Sequence, residues 1–172
     1  MGMAVTQRDV KKALQNTEIF VDGKRVKEPA TGIGFMDLLT FKATGENYRV
    51  TIDFKGRIQF IKLAKPEHTK VCRIEGKTIM KKGKIQINLS GSRNMIVDKN
   101  EYAVGDGVVI ELPSQKITKH MKLDKGAKIF LISGAHKGSE GTVEEVQDRL
   151  VFYKDSKGER IETPKKAVFV MP

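Results

Sequence analysis

The stretch Leu123–Val143, LDKGAKIFLISGAHKGSEGTV, decides the fold of this chain. Four glycines interrupt it, at Gly126, Gly134, Gly138 and Gly141. Apolar residues stand between and after them, at Ile129, Leu131 and Val143. Positions that permit turns therefore interleave with positions that favour strands. The stretch predicts a β-hairpin around a tight, glycine-rich bend, which would present Ala135, His136 and Lys137 outward.

Short strands are also predicted through the rest of residues 42–172, where no helical period occurs. Two stretches alternate apolar with polar residues, and their apolar positions are Tyr48, Val50, Ile52 and Phe54 in one and Ile85, Ile87 and Leu89 in the other. The first predicts a half-buried strand that turns at Lys55-Gly56, so that Lys55 and Arg57 would lie at an exposed hairpin tip. The region is expected to be all β.

Three further stretches carry local predictions. A strand is expected from Met36 to Phe41. Val71–Met80, centred on Glu75-Gly76-Lys77, predicts another hairpin, and Ser90–Asn94 predicts a flexible loop that contains Arg93.

The amino-terminal part has a different pattern. Thr6-Gln7-Arg8-Asp9 is typical of a capping box, and it predicts a short helix that ends near Asn16. Ile19–Val21 predicts a strand, and Asp22-Gly23 predicts the tight turn after it.

Positive charge is concentrated in the middle of the chain. Lys and Arg number 32 against 21 Asp and Glu, a net charge of +11, and nine of these eleven excess charges lie in residues 42–122. Such a balance favours a polyanionic partner. Nucleic acid is favoured over a membrane surface, because the chain has no long apolar run and no basic amphipathic helix. With no Trp and 6% aromatic residues, contacts to RNA backbone and shape are expected rather than stacking platforms.

The single cysteine, Cys72, and the absence of a signal peptide predict an intracellular protein.

The sequence argues against catalysis. His68, His120 and His136 lack the spacing of metal ligands, so ordinary surface histidines are expected. Because no nucleophile, phosphate-binding or paired-carboxylate motif occurs, we expect no catalytic residue, metal, cofactor or small-molecule substrate.

Several motifs carry a family resemblance. Leu123–Val143 resembles the KOW motif of ribosomal proteins and transcription elongation factors, and the helix followed by Val21-Asp22-Gly23-Lys24 resembles the second half of the S4-like RNA-binding module. Five further matches occur in the same order as in ribosomal protein S4e: Gly34–Asp37, Thr44–Arg49, Asp53–Arg57, Val104–Asp106 and Ser133–Gly138. The chain is therefore identified as similar to that family. Because the sequence stops at Pro172, without the eukaryotic carboxy-terminal extension, the resemblance implies the archaeal branch.

The resemblance implies an architecture and a role. Residues 1–41 would form a partial S4-like module, 42–122 a central basic β domain and 123–172 a KOW domain with an SH3-like barrel. The usual basic amino-terminal segment of the family is expected to be missing. The implied role is structural, in the small (30S) subunit of cytoplasmic ribosomes, with ribosomal RNA and neighbouring ribosomal proteins as partners and a monomer off the ribosome.

The candidate RNA contacts are basic residues at predicted turns together with the KOW loop. They are Lys24, Arg25, Lys55, Arg57, Lys62, Lys81, Lys82, Lys84, Arg93, His136 and Lys137. His136 could instead stack on a base or ribose. A KOW-containing transcription elongation or antitermination factor, which binds RNA and polymerase, is the alternative function.

Overall fold

The computed structural model describes residues 6–172, apart from the side chain of Lys82. Within that range the chain has one α-helix and three antiparallel, five-stranded sheets. The prediction of a mainly β chain with a short amino-terminal helix is confirmed. The chain divides into two compact units. The first contains residues up to Thr51 with Ile58–Lys70 and Glu111–Lys116, and the second contains Ile52–Arg57, Val71–Ile110 and Ile117–Pro172.

The helix of the first unit, α1 (Gln7–Asn16), begins with the predicted capping box. The Thr6 hydroxyl accepts a hydrogen bond from the Asp9 amide at 3.2 Å, and the Asp9 carboxylate accepts one from the Thr6 amide at 3.0 Å. Two amides that the first turn would leave without a partner are satisfied in this way. Leu14 is the residue of this helix that is fully buried.

The first sheet has the order β2-β1-β3-β4-β5. Its strands are β1 (Ile19–Val21), β2 (Lys24–Arg25), β3 (Leu38–Phe41), β4 (Glu46–Ile52) and β5 (Ile58–Lys62). Asp22 and Gly23 join β1 to β2 with φ values of 51° and 77°, as a two-residue hairpin turn requires. The strand predicted from Met36 begins instead at Leu38, because Met36 has φ 64° and belongs to the preceding turn.

A buried charge cluster links the first sheet to Lys70, whose residue surface is 2% exposed. The Lys70 ammonium donates to Asp22 Oδ2 at 2.7 Å and also to Asp37. Asp22 Oδ1 accepts the Leu38 amide at 2.9 Å, so the cluster also fixes the start of β3. Lys70 therefore adds nothing to the basic surface that the charge count suggests.

The second sheet has the order β10-β9-β6-β7-β8. Its strands are β6 (Thr69–Ile79), β7 (Ile85–Leu89), β8 (Arg93–Val97), β9 (Gly107–Glu111) and β10 (Ile117–Met121). The predicted alternation in β7 is confirmed, since Ile85, Ile87 and Leu89 are buried and the residues between them are half-buried.

Two local predictions in this sheet are wrong. Val71–Met80 is not a hairpin, because all of it except Met80 belongs to the single strand β6, which has a bulge between Ile74 and Gly76. A Cβ on Gly76 would lie 3.3 Å from Asn88 Nδ2, so this glycine serves close cross-strand packing rather than a turn. Arg93 is not in a loop, since the turn ends at Ser92 and Arg93 begins β8, where it pairs with Leu89 of β7.

The third sheet has the order β14-β13-β12-β11-β15. Its strands are β11 (Lys128–Leu131), β12 (Glu140–Gln147), β13 (Leu150–Asp155), β14 (Arg160–Pro164) and β15 (Val168–Val170). The predicted glycine-rich hairpin is confirmed as β11 and β12, with Ile129 opposite Gly141. A Cβ on Gly141 would collide with the buried ring of Tyr153, so this position requires glycine.

Candidate nucleic-acid interface

The turn between β4 and β5, Asp53–Arg57, is organised by one carboxylate. Asp53 Oδ1 accepts hydrogen bonds from the amides of Lys55 and Arg57, both at 2.8 Å. The Arg57 amide, followed by the Lys55 amide and the two cationic side chains, holds the pKa of Asp53 below its usual value, against a smaller opposing effect of burial. The turn therefore keeps its shape at neutral pH, and it presents Lys55 and Arg57 to solvent.

The loop of the glycine-rich hairpin, residues 132–139, packs against this turn. A Cβ on Gly138 would lie 2.5 Å from the carbonyl oxygen of Asp53, so the two backbones approach as closely as glycine allows. The Lys137 side chain crosses the turn, since a Cβ on Gly56 would lie 3.0 Å from its Nζ. We call Asp53–Arg57 together with residues 133–139 the turn–loop surface. It brings together four candidate contacts: Lys55, Arg57, His136 and Lys137.

Phe54 lies in the same turn and is 72% exposed. Its predicted place on the apolar face of a half-buried strand is wrong, because β4 ends at Ile52 and the chain then bends. The ammonium of Lys55 lies 5.5 Å from the centroid of the Phe54 ring. An aromatic ring and several cations thus share the turn–loop surface.

A second basic tip joins β6 to β7. The Met80 amide donates to the Lys84 carbonyl at 2.8 Å, and Gly83 turns the chain with φ 72°. Lys81 and Lys84 are exposed there, whereas the side chain of Lys82 lies outside the described residues. Ile79 beside them is 81% exposed. This lysine run thus lies at a hairpin tip.

The remaining candidates differ in how available their charge is. Lys24 and Arg25 are exposed in β2, with an Arg25 nitrogen 3.6 Å from Glu18. Lys62 is exposed but forms an ion pair with Glu46, and the hydrogen bond that it donates to that carboxylate raises the pKa of Lys62. Arg93 is half-buried in β8. Their contacts with RNA remain predictions.

The structure also gathers cations that the sequence did not single out. A cavity of about 410 Å³ is lined by Arg73, Val104, Asp148, Arg149, Pro164, Lys165 and Lys166. Arg73 Nη2 donates to the Lys165 carbonyl at 3.3 Å, and burial lowers the pKa of Arg73. Basic and acidic residues are nearly equal in number in residues 123–172, so the distribution of charge along the sequence did not reveal this cluster. The adjacent Lys165 and Lys166 after Pro164 were its one visible signal.

Residues 6–172 hold neither a metal centre nor a membrane-spanning helix. No group of three or more His, Cys, Asp or Glu side chains is arranged to hold a metal ion there. Nor does any described helix have the length and apolarity needed to cross a membrane. His120 is a half-buried structural group rather than a surface histidine, since its Nε2 lies 2.7 Å from Asp106 Oδ2 and its ring packs on Tyr102.

Three antiparallel sheets with cations at their hairpin tips define a β protein with surfaces suited to a polyanion. Residues 44–117 match the model of ribosomal family S4e. The small ribosomal subunit protein eS4 of Methanocaldococcus jannaschii is 32% identical, and the match covers 95% of this chain and 72% of that protein. The eS4 protein of Methanococcus vannielii is 35% identical over the same shares of the two chains.

A solved structure agrees with these relatives. The crystal structure of the 30S ribosomal protein S4e from Thermoplasma acidophilum superposes with a TM-score of 0.84 and 29% identity, covering 95% of this chain and 85% of that one. The chain belongs to the S4e family of ribosomal proteins. The family resemblance, which was inferred from the ordered motifs, and the archaeal branch that it implied are confirmed.

Proposed function

We propose that this chain is a structural component of the small ribosomal subunit, in the cytoplasm, and binds ribosomal RNA through its basic hairpin tips. The relatives carry small-subunit names, and the turn–loop surface supplies the observation that supports RNA as the partner. There two segments about eighty residues apart in sequence meet, and Lys137 lies against the turn that carries Lys55 and Arg57. A folded β protein has no structural need to concentrate like charges in this way.

The mechanism is electrostatic and geometric. Each ammonium or guanidinium that meets a phosphate releases condensed counterions, so affinity falls steeply as salt increases. The tips are fixed by backbone hydrogen bonds, by Asp53 at one tip and by the Met80–Lys84 pair at the other. Rigid tips of this kind recognise the shape of folded RNA, whose deep major groove side chains cannot read.

The architecture fits the same proposal. Residues 1–41 act as the partial S4-like module, 42–122 as the central basic domain and 123–172 as the KOW domain, whose glycine-rich hairpin and five strands form the third sheet. Neighbouring ribosomal proteins contact the parts of the surface that RNA leaves uncovered. Off the ribosome the chain is a monomer without catalytic activity, and light scattering of the purified protein tests its monomeric state.

The chain contains its own control for the turn–loop surface. Asp155 Oδ1 accepts the amides of Lys157 and Glu159 at 2.8 and 2.9 Å, which repeats the Asp53 arrangement in the turn after β13. Lys55→Glu and Lys157→Glu therefore make the same charge change in the same type of turn. We expect Lys55→Glu to weaken binding to small-subunit RNA fragments more than Lys157→Glu does. Equal losses would mean that only net charge matters.

A further inference from the structure

We propose that Phe54 stacks on an unpaired RNA base, and that the ligand of the turn–loop surface is a bulged, looped or terminal nucleotide rather than continuous duplex. This inference rests on the proposed function and specifies its ligand. The ring is 72% exposed, although burial of such a ring stabilises a fold. Phe54 is thus placed for contact with something outside this chain.

The turn holds the backbone of Phe54 in a fixed place. Asp53 accepts the amides on both sides of Gly56, and Gly138 lies directly against the backbone of Asp53 and Phe54. An aromatic side chain has only two rotatable bonds, so a ring on so constrained a backbone loses little further freedom when it stacks. The arrangement is pre-organised for a flat ligand.

The surrounding charge indicates what that ligand is. The Lys55 ammonium lies 5.5 Å from the ring centroid, and Arg57 and Lys137 belong to the same turn–loop surface. A nucleotide joins a flat base to a nearby phosphate. One such ligand can therefore stack on the ring and pair with the cations at the same time. Arg57 already lies 3.7 Å from a carboxylate oxygen of Asp53, but an apolar pocket on a protein would offer no anion to the ammonium groups of Lys55 and Lys137.

The base must be unpaired. In an A-form helix the bases are already stacked on one another, and a ring at the surface reaches only backbone and groove. The low aromatic content predicted contacts with RNA backbone and shape alone. Stacking by Phe54 departs from that expectation, because one exposed ring suffices for one base.

The test compares two RNA hairpins with the same stem, one fully paired and one with a single unpaired 2-aminopurine nucleotide. Wild-type protein, Phe54→Ala, Phe54→Trp and Ile96→Ala are titrated into both. Ile96 is 57% exposed in β8 and is not part of the turn–loop surface, so its variant removes exposed apolar surface of another segment. Because Phe54 is exposed, thermal unfolding of Phe54→Ala should match the wild type.

We expect the wild type to prefer the bulged hairpin and to quench its 2-aminopurine. Phe54→Ala should lose about 5- to 150-fold in affinity for that hairpin, the range of one base stacked on one ring, with an unchanged salt slope because no charge is removed. Phe54→Trp should keep the preference, and Ile96→Ala should behave as the wild type.

The outcomes separate the two proposals. If all variants bind both hairpins equally, Phe54 does not stack and the inference is overturned, while RNA binding stands. If no variant binds either hairpin or small-subunit RNA fragments, the proposed function fails first. If Phe54→Ala binds both RNAs as the wild type does yet enters small subunits poorly, the ring meets protein and the inference is again overturned.

Discussion

Gly138 lies against Asp53 so closely that a Cβ would stand 2.5 Å from the Asp53 carbonyl oxygen. The glycine belongs to the loop of the glycine-rich hairpin, and Asp53 begins the turn after β4. The contact thus joins the outward-facing loop of the glycine-rich hairpin to the basic turn, which carries Lys55 and Arg57. It is the geometric basis of the turn–loop surface.

Replacing Gly138 should separate the loop from the turn. Gly138→Ala suffers both from φ 80° and from the collision with Asp53, whereas Gly134→Ala suffers only from φ 92°, since nothing lies within 4 Å of its Cβ position. The positive φ alone should lower the free energy of unfolding of either alanine variant by about 1–2 kcal/mol. Urea unfolding should show a larger loss for Gly138→Ala, together with weaker RNA binding. Identical losses would show that the contact with Asp53 contributes nothing.

Asp53 should support RNA binding although its charge is negative. Asp53→Ala removes the acceptor for the Lys55 and Arg57 amides, so the turn loses its shape while the net positive charge rises by one. We expect lower affinity for small-subunit RNA fragments, measured by fluorescence anisotropy. Asp155→Ala makes the same change in the matching turn and should not lower affinity. Tighter binding by Asp53→Ala would contradict the account.

The lysines of the β6–β7 tip should release counterions from RNA when they bind its phosphates. Lys81→Ala combined with Lys84→Ala should lower the slope of log affinity against log salt by about 0.7–0.9 for each phosphate that these lysines neutralise in the wild type. The control combines Lys42→Ala with Lys154→Ala, which removes two lysines that already pair with Glu18 and Glu144. Its slope should change less. If the two double variants have the same slope, the tip does not bind RNA.

The buried Lys70 cluster should stabilise the first unit. Lys70→Met leaves Asp22 and Asp37 buried without their cation, and removal of one partner from a buried ion pair costs about 3–5 kcal/mol. Lys62→Met removes a lysine whose side chain is 61% exposed and pairs with Glu46, so its cost should stay below about 1 kcal/mol. Chemical unfolding measures both. Similar values for the two variants would contradict this assignment.

The same cluster has a defined dependence on pH. Burial alone would lower the pKa of Lys70, but the hydrogen bonds and charges of Asp22 and Asp37 outweigh it and raise the pKa above the ordinary 10.5. Stability from a raised lysine pKa is complete below the unfolded value and is lost as pH rises through the folded one. The stability difference between wild type and Lys70→Met should therefore stay constant from pH 7 to about pH 10 and decline above 10.5. A decline already at neutral pH would contradict the cluster.

Local sequence patterns predicted those elements whose burial follows from the alternation of their own residues. The alternation of Ile85, Ile87 and Leu89 succeeded because one face of β7 packs into the core along its whole length. The same reasoning failed at Gly76, because a glycine that admits a cross-strand neighbour looks, in sequence, like a glycine that makes a turn. It failed at Phe54 because periodicity does not show where a strand ends.

The candidate interface was predicted only in pieces. Lys55 and Arg57 were expected at a hairpin tip, and His136 and Lys137 in a glycine-rich loop, each from its own neighbours in sequence. Their meeting depends on the close approach of Gly138 to Asp53, and no periodicity spans that separation. The cluster of Arg73 with Arg149 was missed for the same reason, since tertiary structure alone brings them together.

The most direct test of the proposed role is binding of the purified chain to fragments of small-subunit ribosomal RNA against a duplex of equal length, across a salt series. The account predicts preference for particular fragments that survives moderate salt, because rigid tips and the turn–loop surface recognise shape as well as charge. Equal affinity for all fragments and the duplex, lost together as salt rises, would contradict recognition of ribosomal RNA by this chain.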